Sequence, residues 1–242
     1  MKGLRVKHLQ IALDGPSGAG KSTMARHVAQ TLGILYLDTG AMYRAVGLKA
    51  MRQDINPDDA EAVGQMLAHT RIDIVHRDGG QHVFLDGEDV SQAIRANEVS
   101  MCASRVSAHQ RVREKLVAMQ QEIAAHQAVI MDGRDIGTKV LPNATVKIFL
   151  TASAEDRARR RFLELQEKGT LNTTYEALLQ EIKTRDFNDS NRAHSPLAQA
   201  EDAILLDTTG FSLEQSVAAI MRLLAPHLNP DGTPAGAAER EA

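Results

Sequence analysis

Asp14-Gly15-Pro16-Ser17-Gly18-Ala19-Gly20-Lys21-Ser22 decides the fold class, because Gly15 to Ser22 fits the spacing G-x-x-x-x-G-K-[ST] and sits between a strand and a helix. Upstream, Leu9-Gln10-Ile11-Ala12-Leu13 is a short apolar run of buried-strand type; downstream, Ala25, Val28, Ala29 and Leu32 recur at helical spacing. Glycines here let successive backbone N–H groups turn inward on a polyphosphate, and the helix N-terminus adds partial positive charge. Lys21 reaches the outer phosphates and the Ser22 hydroxyl can ligate Mg2+. A nucleoside triphosphate is therefore the expected ligand of Gly15, Pro16, Ser17, Gly18, Ala19, Gly20, Lys21, Ser22 and Thr23.

Working outward, Ile34-Leu35-Tyr36-Leu37 is a second apolar run, closed by Asp38-Thr39-Gly40 and followed by the helical pattern Met42, Val46, Leu48, Met51. Ile72 to Val75 and His82 to Asp86 flank Asp78-Gly79-Gly80, which predicts a hairpin and hence a small antiparallel insert. Residues 97–125 are mostly helical in pattern, and Ser107-Ala108-His109-Gln110 resembles a capping box that restarts the helix. Ala128 to Met131, Val146 to Leu150 and Ala203 to Leu206 supply further strands. Ser153 caps one helix, Thr173 or Thr174 caps another through Asp186, and Leu213 to Leu224 forms a last one. This alternation predicts a parallel α/β sheet with helices on both faces and ligands at the C-terminal strand edge. Asp38, Asp132 and Asp207 fall at that edge. Asp132 is the candidate to hold the metal through water, whereas Asp38 and Asp207 fit turn or capping roles equally well.

The 242 residues are 43% hydrophobic, enough for a sizeable core in one domain over residues 1–228, followed by a tail (229–242) of Pro, Gly, Ala and charge that should be mobile. With 28 Lys+Arg against 31 Asp+Glu, the net charge of −3 argues against a broad basic face for nucleic acid or an anionic membrane. Aromatics at 3% and the lack of Trp weigh against a stacking platform for single strands. No apolar run approaches the roughly 20 residues of a membrane span. Cys102 is the only cysteine, and Met1 to Val6 lacks an apolar signal region, so a cytoplasmic location is expected. The nine histidines show no metal-ligand spacing.

The arginines point to the reaction. Arg157, Arg160 and Arg161 fall at i, i+3 and i+4 of a capped helix and should form one basic face with Arg159 directed elsewhere, a lid over the transferring phosphoryl group; a solvated face paired with Glu164 is the plain alternative. Arg185, Asp189 and Arg192 would share a second face, suited to a carboxylate orienting two guanidinium groups or to structural ion pairing alone. Arg44 and Arg134 each follow a strand at the ligand edge. Positive charge on both sides of a moving phosphoryl group suits an anionic acceptor, hence a kinase rather than a switch hydrolase.

With these residues in place, the chain resembles the bacterial cytidylate kinase family, a branch of the nucleoside monophosphate kinases, from Gln10 to Leu224. The resemblance rests on Asp14 to Ser22, Leu37-Asp38-Thr39-Gly40-Ala41-Met42-Tyr43-Arg44, Leu85 to Val90, Asp132-Gly133-Arg134-Asp135-Ile136-Gly137-Thr138 and Arg185-Asp186 through Arg192. It implies a P-loop core sheet, a monophosphate-binding insert over about 41–107, a lid over about 154–172, and transfer of the ATP γ-phosphate to CMP or dCMP with Mg2+ by a monomer. It also implies CMP contacts from Thr39, which stands where a serine is common, and from Tyr43, Arg44, Arg134, Arg185, Asp189 and Arg192. Cytosine offers an amine donor and two acceptors; Asp135 can receive the former, and Ser104 and Arg113 can donate to the latter. Lys21, Arg157, Arg160 and Arg161 would neutralise the transition state, with no general base. Adenylate kinases differ after the central strand, where Asp-Gly-Phe-Pro-Arg is typical. Shikimate-type kinases leave the insert unexplained, and a guanine-reading Asn-Lys-x-Asp is missing.

Overall fold

The computed structural model describes residues 8–77, 79–192 and 194–234. The turn residue Asp78, the N-terminal Met1 to Val6 and residues 235–242 of the tail lie outside them. Two compact units divide the chain: the described parts of Met1–Tyr36, Ile123–Arg192 and Pro196–Ala242, and those of Leu37–Glu122 with Ala193–Ser195. The second unit reaches further at both ends than the insert of about 41–107 expected from the sequence.

In the first unit, β1 (Gln10–Asp14), β6 (Val129–Gly133), β7 (Val146–Thr151) and β8 (Ile204–Asp207) build a sheet whose order, with β2 (Leu35–Asp38), is β2-β6-β1-β7-β8. β1 is central, pairing in parallel with β6 (Gln10 opposite Val129) and β7 (Ile11 opposite Val146). Covered on both faces, β1, β6 and β7 are continuous apolar runs rather than alternating ones, whereas β8 at the edge leaves Ile204 and Leu205 exposed. Ile11, Leu13, Ile130, Ile148 and Leu150 are fully buried, together with Val28 of α1 (Lys21–Leu32) and Ile220 of α8 (Leu213–Leu224). Each such side chain contributes about 1.5–3 kcal/mol. Ser212 caps α8 in a reciprocal capping box with Gln215. α6 (Ala154–Glu167) is capped by Ser153, and α7 (Tyr175–Asn191) by Thr174. α7 runs beyond Asp186 to Asn191, which keeps Arg185 and Asp189 on one helix and leaves Arg192 at its end. The tail begins with a closed turn in which Asn229 N donates to Thr233 O.

The second unit holds α2 (Thr39–Arg52), α3 (Ala60–Ala68), β3 (Ile72–Arg77), β4 (Gly80–Leu85), β5 (Glu88–Asp89), α4 (Asn97–Val106) and most of α5 (Gln110–His126). β3 and β4 form the expected antiparallel pair, extended by β5. Met42, Val46, Val63, Leu67, Val99, Val106 and Leu116 make its core. The helical stretch breaks after Val106 and resumes at Gln110, as the sequence around Ser107 suggested. Among the described residues no helix is long and apolar enough to cross a membrane.

Candidate active site

β1 delivers the chain into the phosphate loop at Gly15, whose φ of +149° and close approach admit no side chain: a Cβ there would lie 1.9 Å from Leu150 O. The loop closes onto α1 at Lys21, the first helical residue. Lys21 Nζ is buried and donates to Gly15 O (2.8 Å) and Pro16 O (2.6 Å). Burial, then the Arg134 guanidinium, pushes its pKa well below the usual lysine range, while Asp132 and Asp14 act in the opposite sense. Ser22 Oγ donates to Asp132 Oδ2 (2.7 Å), and Tyr36 OH donates to Asp132 Oδ1 (3.0 Å). Asp132 is thus held from α1 and from β2. No group of three or more His, Cys, Asp or Glu side chains arranged for a metal occurs among the described residues. An oxygen-only pair of Ser22 and Asp132 still fits Mg2+, which usually keeps several waters and takes one or two protein groups beside substrate phosphates.

Arg134, one residue beyond β6, donates Nε to Asp189 Oδ2 of α7 (2.8 Å) and Nη1 to Gly133 O (3.2 Å). Two basic locations far apart in sequence are brought together in this way. Burial works against charge on both partners; mutual attraction outweighs it, holding the Asp189 carboxyl below its ordinary range, with help from Arg185 and Arg192. Asp135, the next residue, is buried.

Arg157, Arg160 and Arg161 occupy three environments rather than the single face expected from their spacing. Arg157 is turned inward and donates to Ala152 O (2.9 Å), Ser17 O (2.7 Å) and Asp186 Oδ2 (2.6 Å), so it braces the phosphate loop against α7. Arg160 donates to Thr208 O (2.5 Å) and pairs with Asp156. Arg161 is exposed beside Glu164 at 2.9 Å. The first turn of α6 packs under the loop, and its surface passes from buried to open between Arg157 and Arg161. Helical spacing alone does not reveal that gradient.

In the second unit, Asp38 performs both roles that its sequence position allowed. Oδ1 caps α2 by accepting from Ala41 N (2.9 Å), and Oδ2 holds Arg44 at 2.6 Å. Thr39 is buried at the start of that helix. The Arg113 guanidinium lies over the Tyr43 ring, 5.4 Å from its centroid, and Nη1 donates to Ser107 O (3.3 Å). Ser104 is half-buried on α4, on the far side of the helix break from Arg113. In the first unit, Asp207 closes a turn on Thr209.

Three supporting roles were not foreseen from the sequence. Tyr36 fixes Asp132, Gln81 of β4 meets the main chain of Asp38 (Asp38 N to Oε1, 2.8 Å; Nε2 to Asp38 O, 3.1 Å), and Asp186 receives Arg157. Tyr36 carried a detectable sign, a hydroxyl at the ligand end of an otherwise aliphatic strand. Gln81 carried none, and Asp186, though part of the Arg185-Asp186 motif, carried no sign of its pairing with Arg157.

With this geometry established, residues 11–225 match the family model described as cytidylate kinase. A protein named cytidylate kinase from Lysinibacillus sphaericus (strain C3-41) is 54% identical over 217 residues, covering 90% of this chain and 96% of its own length. One of the same name from Caldicellulosiruptor bescii is 56% identical over 218 residues, with the same coverage of 90% and 96%. Among solved structures, an uncharacterized protein from Eubacterium ventriosum ATCC 27560 aligns over 90% of this chain and 99% of its own with a TM-score of 0.50 at 9% identity, a likeness of fold alone.

Proposed function

We propose, since the chain belongs to the cytidylate kinase family, that it transfers the γ-phosphoryl group of ATP to CMP or dCMP, forming ADP and CDP or dCDP. The observation that carries the reading is the buried Arg134–Asp189 pair, 2.8 Å apart, whose arginine stands two residues beyond Asp132, the carboxylate bonded to Ser22 of the phosphate loop. A moving phosphoryl group needs neutralising charge on its acceptor side as well as its donor side, and a buried guanidinium next to the phosphate loop supports such a role.

The acceptor is already an oxyanion, so alignment and charge carry the chemistry. Phosphate oxygens of ATP compete with Gly15 O and Pro16 O for the Lys21 ammonium. Ser22, and Asp132 through water, would hold Mg2+, which when bound would supply positive charge to the outer phosphates. Asp135 accepts from the cytosine amine, and Ser104 and Arg113 donate to its ring acceptors. Thr39, Tyr43, Arg44 and Arg134 serve the acceptor phosphate; Arg185, Asp189 and Arg192 serve ribose and phosphate. α6 is the lid: Arg160 and Arg161 reach the phosphates on closure, while Arg157 holds the loop, and closure keeps water out. A cytoplasmic monomer belongs to the same reading.

A coupled assay of ADP production with CMP, dCMP, UMP, AMP or no acceptor tests the reading. Turnover that depends on CMP or dCMP is expected. ADP formation independent of any acceptor, or fastest with AMP, would overturn it.

A further inference from the structure

Asp14 is a buried carboxylate that the mechanism above does not use. It lies at the end of β1, is 5% exposed, and accepts from Ile136 N through Oδ1 (2.8 Å) and from Gly137 N through Oδ2 (2.7 Å). Burial pushes its pKa up to about 6, and Asp135 adds to the rise; the two backbone donors and Lys21 oppose it. Both oxygens are thus engaged by main chain from a segment more than 120 residues away. A charged group kept in so unfavourable a place calls for a reason beyond packing.

Its neighbours supply one. The main chain of Asp14 is in register with Gly133, the last residue of β6, and its carboxylate holds Ile136 and Gly137, which open the single wide helical turn Ile136–Val140. Only Arg134 and Asp135 lie between those two anchors. One residue therefore pins both ends of the dipeptide assigned to CMP, and the residue that follows it, Gly15, starts the loop assigned to ATP. We propose that Asp14 is a positioning residue, which fixes Arg134 and Asp135 relative to the phosphate loop and so sets the affinity for the acceptor and the choice of its base. This rests on the assignment of Asp135 to cytosine.

The test is Asp14→Asn, which keeps one acceptor but sets an amide N–H2 against the second backbone donor. A lost and opposed hydrogen bond should raise KM for CMP about tenfold and compress the CMP-to-UMP ratio of kcat/KM about fivefold. The Kd of a fluorescent ATP analogue, measured without acceptor, should shift less, within about threefold, because Asp14 acts on Lys21 only behind burial, Arg134 and Asp132. Parallel loss of ATP affinity, or an unchanged ratio, overturns the proposal. Should Asp14→Asn fail to fold, Gly137→Ala addresses the same clamp from the other side, because its Cβ would stand 3.1 Å from Lys147 Cδ and 3.4 Å from Asp14 Oδ2. The same signature is expected there, and wild-type discrimination would refute the idea. Asp135→Ala is the control for the underlying assignment: a wild-type CMP-to-UMP ratio in that variant condemns the base reading, whereas a changed ratio there with none in Asp14→Asn condemns only the role of Asp14.

Discussion

Removing Asp189 should cost more stability than any exposed ion pair in the molecule, and the pair with Arg134 shows why. The side chains are only 19% and 7% exposed, so neither charge has bulk water as an alternative partner. Breaking a buried pair by deleting one member typically costs about 3–5 kcal/mol, because the survivor keeps its desolvation penalty. Arg134 retains the fields of Asp132 and Asp186, which places Asp189→Ala at the lower end, about 3 kcal/mol. For a chain of this size that lowers the midpoint of thermal unfolding by about 6–12 °C. The sign with pH follows from the depressed carboxyl of Asp189. Its stabilisation is complete above the unfolded carboxylate pKa of about 3.9 and fades as pH falls through the lower folded value, so the variant should lose its full stability increment at neutral pH and approach wild type only below about pH 4. Replacing both partners, as Arg134→Met with Asp189→Leu, should restore stability to within about 1 kcal/mol of wild type. Scanning calorimetry and urea titration at pH 7.5 compare Asp189→Ala with wild type and measure the cycle formed by wild type, Arg134→Met, Asp189→Leu and the two together. A single substitution costing less than about 1 kcal/mol, or a double variant no more stable than either single, would refute the argument from desolvation.

Other perturbations separate the remaining roles. Lys21→Ala should lower turnover by roughly 10² or more, as expected for a lost transition-state charge, and near wild-type steady-state rates would exclude its assigned role. Asp135→Ala should narrow the CMP-to-UMP ratio of kcat/KM by about tenfold, because a buried polar contact to the base is removed, and competition kinetics with the two acceptors would expose an unchanged ratio. Gly15→Ala forces a Cβ into Leu150 O; loss of soluble protein or of ATP-analogue binding is expected, and a wild-type melting point with wild-type affinity contradicts the loop geometry. Arg157→Met strands Asp186 and two backbone carbonyls and should cost about 3 kcal/mol, against at most about 1 kcal/mol for Arg161→Met at its exposed pair with Glu164; equal melting points would overturn that contrast.

The phosphate loop was legible because its glycines, its lysine and the flanking periodicities all demand one geometry. The core strands were legible for a related reason, since strands covered on both faces have few polar interruptions. The short β5, Glu88–Asp89, was not, because two charged residues carry no strand pattern and pair only when β4 offers its edge. α3 was missed as well; its buried Val63, Met66 and Leu67 make a short stripe set among loop residues. At the candidate site, residue types were readable and their partners were not. Arg134 and Asp189 are 55 positions apart, and only the fold joins a strand end to the last turns of α7. The spacing of Arg157, Arg160 and Arg161 gave angles around an axis, but not which side of that axis would be covered.

The sheet order has a consequence during synthesis. β1 has no partner until β6 emerges, since Gln10 waits for Val129 and Ile11 for Val146. At 5–20 residues per second a growing chain carries its unpaired loop strand on the ribosome for roughly 6–24 s. The intervening second unit closes its own antiparallel sheet from adjacent segments and can consolidate first. Nascent chains halted before Val129 should therefore expose β1 to proteases and chaperones, while those halted after Thr151 have both neighbours in hand.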